Sequence, residues 1–233
     1  MTNVHLITYG CEGFSKSLIR LQKEALNTGW FSSIRAYTPN KIPTDVYILP
    51  RKKHLRGGGY WAWKSYIVKE TLKTIPEGDL LLYLDAGCTI NSSAKFRFKE
   101  YLSMATLNDF LGFHCCSEKQ YTKRDLLIEL GCDSDKYLNT LQIISGIIFF
   151  KNIPRIRKFV DDWYSITRIS HFIDDTSSKI ENYPEFIEHR HDQSCLSLLA
   201  KKSNLYSIDD ETYFDFNTEN AKKYPLWATR IRK

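Results

Sequence analysis

Asp79-Leu80-Leu81-Leu82-Tyr83-Leu84-Asp85-Ala86-Gly87-Cys88 is the stretch that decides the fold. Leu80–Leu84 is apolar without interruption and is bounded by Pro76-Glu77-Gly78 on one side and by an acid on the other. A run too short for a buried helix, with no polar alternation, fits a strand covered by helices on both faces. Such a strand belongs in the middle of an α/β sheet. Open sheets of this kind take their ligands beyond the carboxyl ends of the strands, which is where Asp85 stands.

The flanking segments agree with an α/β layer. Val4–Thr8 is a short β-rich run ending at Tyr9-Gly10. Phe14, Leu18, Leu21 and Ala25 then recur at helical spacing, and Gly29 stands where a C-terminal cap belongs. Ile34–Thr38 reads as a second strand. Gly57-Gly58-Gly59 opens a helix predicted over Tyr60–Thr74. Downstream, a helix over Phe96–Met104 and a strand over Phe110–His114 are expected. Thr122-Lys123-Arg124-Asp125 has the form of a capping box. Ile143–Phe150 reads as a strand interrupted at Ser145-Gly146, and Asn152 with Pro154 marks the start of a helix. His191–Lys202 is a last amphipathic helix, with a short strand at Leu205–Ile208. Residues 170–185 are polar and irregular and read as a surface loop. The expectation is one α/β, Rossmann-like domain over residues 1–233, a mixed central sheet flanked by helices. Its nucleotide-binding part falls at about residues 1–90 and its acceptor part at about 91–233.

Composition narrows the class. The chain has 233 residues, enough to bury about 70% of its unfolded surface without disulfide or metal staples. It is 42% hydrophobic and 26% charged, which excludes a disordered, collagenous or coiled-coil chain. No apolar run approaches the ~20 residues of a membrane span. The six cysteines form no Cys-x-x-Cys pair, so neither a zinc ribbon nor a thioredoxin site is expected. The opening residues lack a secretion signal, and a cytoplasmic location follows as the expectation, with a peripheral membrane contact allowed. Thirty-three Lys and Arg against 27 Asp and Glu leave a net charge of +6. Part of that surplus is clustered at Arg51-Lys52-Lys53-His54-Leu55-Arg56 and in the C-terminal tail. A moderate local surplus points to a phosphorylated small molecule before nucleic acid.

Four motifs carry candidate chemistry. Asp85-Ala86-Gly87 offers a carboxylate at a strand end and a glycine for close backbone approach. Arg56-Gly57-Gly58-Gly59-Tyr60-Trp61-Ala62-Trp63-Lys64 combines glycines before a helix, which expose N–H groups to an anion, with two cations and aromatic rings. It lacks the Gly-Lys-Ser/Thr ending of a phosphate-binding P-loop. Ser145-Gly146 places small polar residues inside an apolar strand, a sign of a bulge or close approach. Glu188-His189-Arg190-His191-Asp192-Gln193 concentrates acid, base and amide groups at a helix start. Asp192 there is either a general base or a helix cap. His189 and His191 are two apart, not the four of a helical zinc pair.

The order of these motifs resembles a GT-A glycosyltransferase. The stretches Gly57–Leu72, Gly78–Asn91 and His189–Leu199 resemble small glycosyltransferases of bacterial surface-polysaccharide loci and of large algal viruses. The resemblance covers about residues 4–208. It implies a nucleotide-diphosphate sugar donor, with UDP favoured, and a glycan or glycolipid acceptor. The implied donor contacts are Thr8, Tyr9, Gly10, Arg56, Tyr60, Trp63, Lys64, Asp85, Ala86, Gly87, Ser145, Gly146 and Gln193. Asp192 is the implied base of an inverting transfer. A Mn²⁺ or Mg²⁺ cofactor at Asp85 is also implied, although the second acid of the Asp-x-Asp motif is replaced by Gly87. A tail arginine such as Arg230 is an alternative source of positive charge. Three other readings compete: a nucleotidyltransferase acting on sugar phosphates, a nucleic-acid module built on Arg51–Lys64, and a sugar-binding protein without catalysis.

Overall fold

A computed structural model describes residues 2–46 and 56–232. The Arg51–Leu55 part of the basic cluster lies outside them. In chain order the main elements are β1 (Val4–Tyr9), α1 (Ser15–Thr28), β2 (Ser33–Tyr37), α2 (Trp63–Leu72), β3 (Leu80–Leu84), β4 (Thr89–Ile90) and α3 (Lys95–Asn108). There follow β5 (Phe110–Ser117), α4 (Arg124–Glu129), β6 (Leu141–Ile143), β7 (Ile147–Lys151), α5 (Pro154–Thr167), α6 (Asp192–Lys202), β8 (Ser207–Ile208) and β9 (Leu226–Trp227).

A seven-stranded mixed sheet runs in the order β2-β1-β3-β7-β5-β6, with β8 paired to β5. β1 is parallel to β2 and to β3, whereas β7 is antiparallel to β3 and β5. Strands from both halves of the chain share this one sheet. β1 lies between β2 and β3, so the β1–β2 and β2–β3 connections run in opposite directions across the sheet, and a crevice opens at the carboxyl ends of β1 and β3. The register pairs Ile7 with Tyr83, so Tyr9 and Asp85 leave their strands at the same level.

β3 is buried on both faces, as its unbroken apolar run requires. Strand alternation sends Leu81 and Tyr83, with Ile7, Ile148 and Phe150, into the core formed with α2, α5 and α6. It sends Leu80, Leu82 and Leu84, with Leu6, Ile147 and Phe149, into the core formed with α1 and α3. Gly29 takes the left-handed cap of α1, and Pro154 opens α5.

Several local expectations change. The helix predicted from Tyr60 begins at Trp63, because Gly57, Gly58, Gly59, Tyr60 and Trp61 all have positive φ and wind the other way. A Cβ on Gly57 would stand 2.3 Å from the Trp61 ring, so only glycine fits. Thr122 and Asp125 do not make a capping box. Thr122 Oγ1 donates to Glu118, and Asp125 accepts the backbone N–H groups of Lys179 and Ile180. The interruption at Ser145-Gly146 is a shift in pairing along β5, with β7 on one side and β6 on the other. Residues 170–185 are irregular, but they are more than a surface loop: Ile173 and Asp174 are buried against the site described next. The tail, unmatched by any motif, adds β9 to β4 and returns its last residues to the sheet's carboxyl end.

Candidate active site

Three of the predicted residues, Asp85, Ser145 and Asp192, converge on the buried ammonium of a fourth, Lys64. Lys64, in the first turn of α2, is 2% exposed. Its Nζ lies 3.0 Å from Asp192 Oδ2 and 3.6 Å from Asp85 Oδ1. It also donates to Ser145 O at 3.1 Å and Ser145 Oγ at 3.0 Å. Burial alone would lower the Lys64 pKa, but Asp192 and Asp85 outweigh it and hold the ammonium above its ordinary value. Burial pushes the Asp192 carboxyl up, opposed by Lys64. The lysine is thus a fixed cation between two acids, and the donor diphosphate expected on it would have to compete with both.

Each acid is placed by a sequence feature. Asp85 shares its face with Tyr83, two residues earlier, and accepts the Tyr83 hydroxyl at 2.5 Å. Burial, then the Asp85 charge, raise the Tyr83 phenol well above its usual pKa. Asp85 N–H donates to Gly146 O, and a Cβ on Gly146 would stand 2.8 Å from Asp85 Oδ2. Gly146 is therefore needed for close approach of the carboxylate. The Asp85 side chain remains 40% exposed to the crevice. Asp192 opens α6 but its side chain caps nothing; it turns to Lys64 instead. The next residue, Gln193, accepts the Ser145 N–H and donates to Gln142 Oε1 at 2.7 Å.

Other predicted contacts are placed differently. Thr8 is fully buried, because alternation sets it on the face of Leu6, away from open space. Trp63 packs on Tyr9 with ring centroids 3.7 Å apart, so its face is filled by protein. Tyr60 is buried beside His191. Arg56 pairs with Asp175 and Glu188. Gly10 and Ala86 are buried in the turns after β1 and β3. Gly87 does admit a close backbone, but it is the chain's own tail: a Cβ there would meet Arg230 Cα and Ile231 O at 3.3 Å.

Tyr83, Gln142, Asp175 and His191 belong to this constellation and were not singled out as site residues. Only Tyr83 had a readable signal, its i, i+2 relation to Asp85. His191 has φ of +54° and its ring lies 5.2 Å from the rings of both Tyr60 and Trp61. Its Nδ1 donates to Ile173 O at 2.6 Å. Positive φ at Tyr60, Trp61 and His191 costs about 1–3 kcal/mol each, and such strain gathers at functional sites.

His189 anchors the wall behind this site. Its Nε2 donates to Phe172 O, and its Nδ1 accepts the Lys123 N–H. Burial drops its pKa to about 3; the Phe172 carbonyl opposes this, and smaller effects of His191 and Lys123 add to it. The unfolded chain titrates near 6.5, so the unfolded state takes the proton first. His189 thus favours folding fully above pH 6.5, and that contribution drains away as pH falls toward 3. His189→Gln should flatten the acid limb of stability by a few kcal/mol. Urea melts between pH 4 and pH 7 test this, and an unchanged slope would reject it.

The donor set does not make up a divalent-cation site. Asp85 already serves a hydroxyl and lies beside an ammonium, and position 87 has no carboxylate. Among the described residues, no three His, Cys, Asp or Glu groups are arranged to hold a metal ion.

The fold is similar to that of solved glycosyltransferases. A solved glycosyltransferase involved in the glycosylation of the major capsid of PBCV-1 superposes with a TM-score of 0.54 at 11% identity, over 97% of this chain and 93% of that one. Mouse xyloside xylosyltransferase 1 superposes with a TM-score of 0.50 at 10% identity, over 98% of each chain. At these identities the likeness is one of fold. No protein-family model and no curated protein matches the chain by sequence. Among the described residues, no helix is long and apolar enough to cross a membrane.

Proposed function

We propose that the protein is a glycosyltransferase that moves a sugar from a nucleotide-diphosphate donor, UDP-linked by preference, to a hydroxyl of a glycan or glycolipid. The convergence of Lys64, Asp85, Ser145 and Asp192 at the carboxyl end of β3, on a fold shared with glycosyltransferases, carries this reading. A buried lysine held charged between two acids is costly to build, and such perturbed groups gather where chemistry is done.

In the proposed reaction the acceptor O–H gives its proton to the Asp192 carboxylate. The freed oxygen forms a bond to the anomeric carbon. The bond from that carbon to the diphosphate oxygen breaks, and its electron pair leaves on the diphosphate. Burial makes Asp192 a stronger base than a surface aspartate, and Lys64 keeps it ionised until the proton arrives. Attack opposite to the leaving group inverts the anomeric centre. A second reading rests on one observation: Asp192 is 3% exposed and turned to Lys64. In that case it orients Lys64 and the Ser145-Gly146 turn, and the exposed edge of Asp85 faces the sugar.

Slow hydrolysis of a donor panel tests the class. One nucleotide sugar should be cleaved to free sugar and nucleoside diphosphate, and a glycan acceptor should speed the reaction. Asp192 as base requires an inverted anomer, so a retained anomer leaves only its positioning role. Salt-sensitive binding to single-stranded nucleic acid with no donor cleavage would instead favour a nucleic-acid module.

A further inference from the structure

We infer that the C-terminal strap, through Arg230 and Arg232, supplies the positive charge for the donor diphosphate in place of a divalent cation. This inference rests on the glycosyltransferase reading above and specifies how that site meets its anion.

The strap lies in the ligand crevice itself. Ile231 N–H and Thr229 Oγ1 both donate to Gly87 O, at 2.9 and 2.8 Å. Ser17 Oγ, from α1, donates to Ile231 O at 2.9 Å. The tail therefore bridges the turn after β3 and the helix after β1, across the carboxyl ends of the two central parallel strands. Arg232 lies over the loop between β1 and α1, with Nε 3.4 Å from where a Cβ on Gly13 would begin. The replacement of a carboxylate by Gly87 and the arrival of the strap are linked in space. A side chain at 87 would meet the Arg230 and Ile231 backbone, so the residue that removes the second metal ligand also makes room for the arginines.

Charge accounting selects these two residues. Lys64 is taken by Asp192 and Asp85, and Arg56 by Asp175 and Glu188. Arg20 is taken by Glu24 and the Ala86 and Cys88 carbonyls, and Arg190 by Glu188. Among the described residues, neither Arg230 nor Arg232 has a carboxylate within 4.0 Å. Both are exposed. Each guanidinium lies instead over an aromatic ring, Arg230 4.7 Å from the Tyr213 centroid and Arg232 5.6 Å from that of Phe14. An aromatic support orients a planar fork without satisfying its charge, which leaves it available for a diphosphate. Arg230 also has φ of +54°, an unfavoured conformation for a side-chain-bearing residue that the Gly87 contacts hold in place.

The test is calorimetric binding of UDP and GDP, with uridine and guanosine as controls, in EDTA and again in Mn²⁺. Wild type should bind one diphosphate in EDTA. Arg230→Gln/Arg232→Gln should weaken that diphosphate by about 30-fold or more and leave the matching nucleoside within about twofold. Arg230→Lys/Arg232→Lys keeps charge but loses the fork, and should fall between the two; it also serves if the glutamine variant folds poorly by circular dichroism. Equal binding of the diphosphate by wild type and both variants overturns the strap inference alone. Wild-type binding that vanishes in EDTA and returns with Mn²⁺ overturns it as well. Wild type that binds neither nucleotide under either condition overturns the glycosyltransferase reading and the inference with it.

Discussion

Asp192→Asn should lower transfer from the preferred donor by about three orders of magnitude while leaving donor affinity within a few-fold. The amide matches the carboxylate in size but has no charge and cannot take a proton. A positioned general base contributes about 10²–10⁴ in rate, and the loss should fall on kcat because the acceptor proton moves only in the transition state. Donor binding should survive because Asp192 is buried against Lys64, whereas Asp85 presents the exposed carboxylate edge.

The pH profile separates a base from a merely structural acid. Burial raises the folded Asp192 pKa above its ordinary value, with Lys64 opposing. Wild-type kcat/KM should therefore fall as pH drops through a limb lying above the usual aspartate range. In the asparagine variant that limb should vanish along with the rate. If the variant keeps more than about a tenth of wild-type turnover, Asp192 is not the base. If the rate falls but the limb stays, another group titrates and Asp192 acts as a positioning residue. A matched thermal melt is needed beside both, since the substitution also removes one partner of a buried ion pair.

The legible parts of the fold were those set by local pattern. Leu80–Leu84 announced a central strand because burial on both faces removes polar alternation, and Asp85 fell at its end because the chain must leave the sheet there. Gly29 and Pro154 marked helix ends through backbone preferences that act at single residues. The helix expected from Tyr60 failed for the same kind of reason: Gly57, Gly58 and Gly59 permit φ that no spacing rule reports, and they carried Tyr60 and Trp61 with them. The candidate site was legible as a set of residues and hidden as a set of partnerships. Lys64 and Asp192 were each visible at a helix start, but 128 positions apart nothing local says that one neutralises the other. Arg56 and Lys64 read as cations for a diphosphate because their acids, Asp175, Glu188, Asp85 and Asp192, come from distant segments. Thr8 read as a ligand contact because its position was clear, whereas the side to which it points depends on the register of β1 in the sheet.

Lys64→Met should destabilise the protein by about 3–5 kcal/mol, because it strands Asp192 in the core with no cation. For a chain of this length that corresponds to a loss of roughly 6–20 °C in Tm. Methionine keeps the unbranched stem against the Tyr83 ring, over which the ammonium sits 5.0 Å from the centroid, so the loss reports charge more than volume. The deficit should depend on pH, with a definite sign. In wild type the Lys64 pKa is raised, so its contribution is complete below about 10.5 and drains only as pH rises above that. In the variant, Asp192 loses the attraction that opposed its burial, and its folded pKa rises further above 3.8. The folded state then holds a proton that the unfolded state has released. Stability therefore falls as pH climbs from about 4 through the raised value, and the gap to wild type is smallest in acid and widest near neutrality. Adding Asp192→Leu should recover much of the loss, since an apolar pair avoids the stranded charge that one substitution creates. A deficit that is flat with pH, or that the second substitution deepens, would mean that Lys64 stabilises the fold by packing and that the acids beside it are not held through its charge.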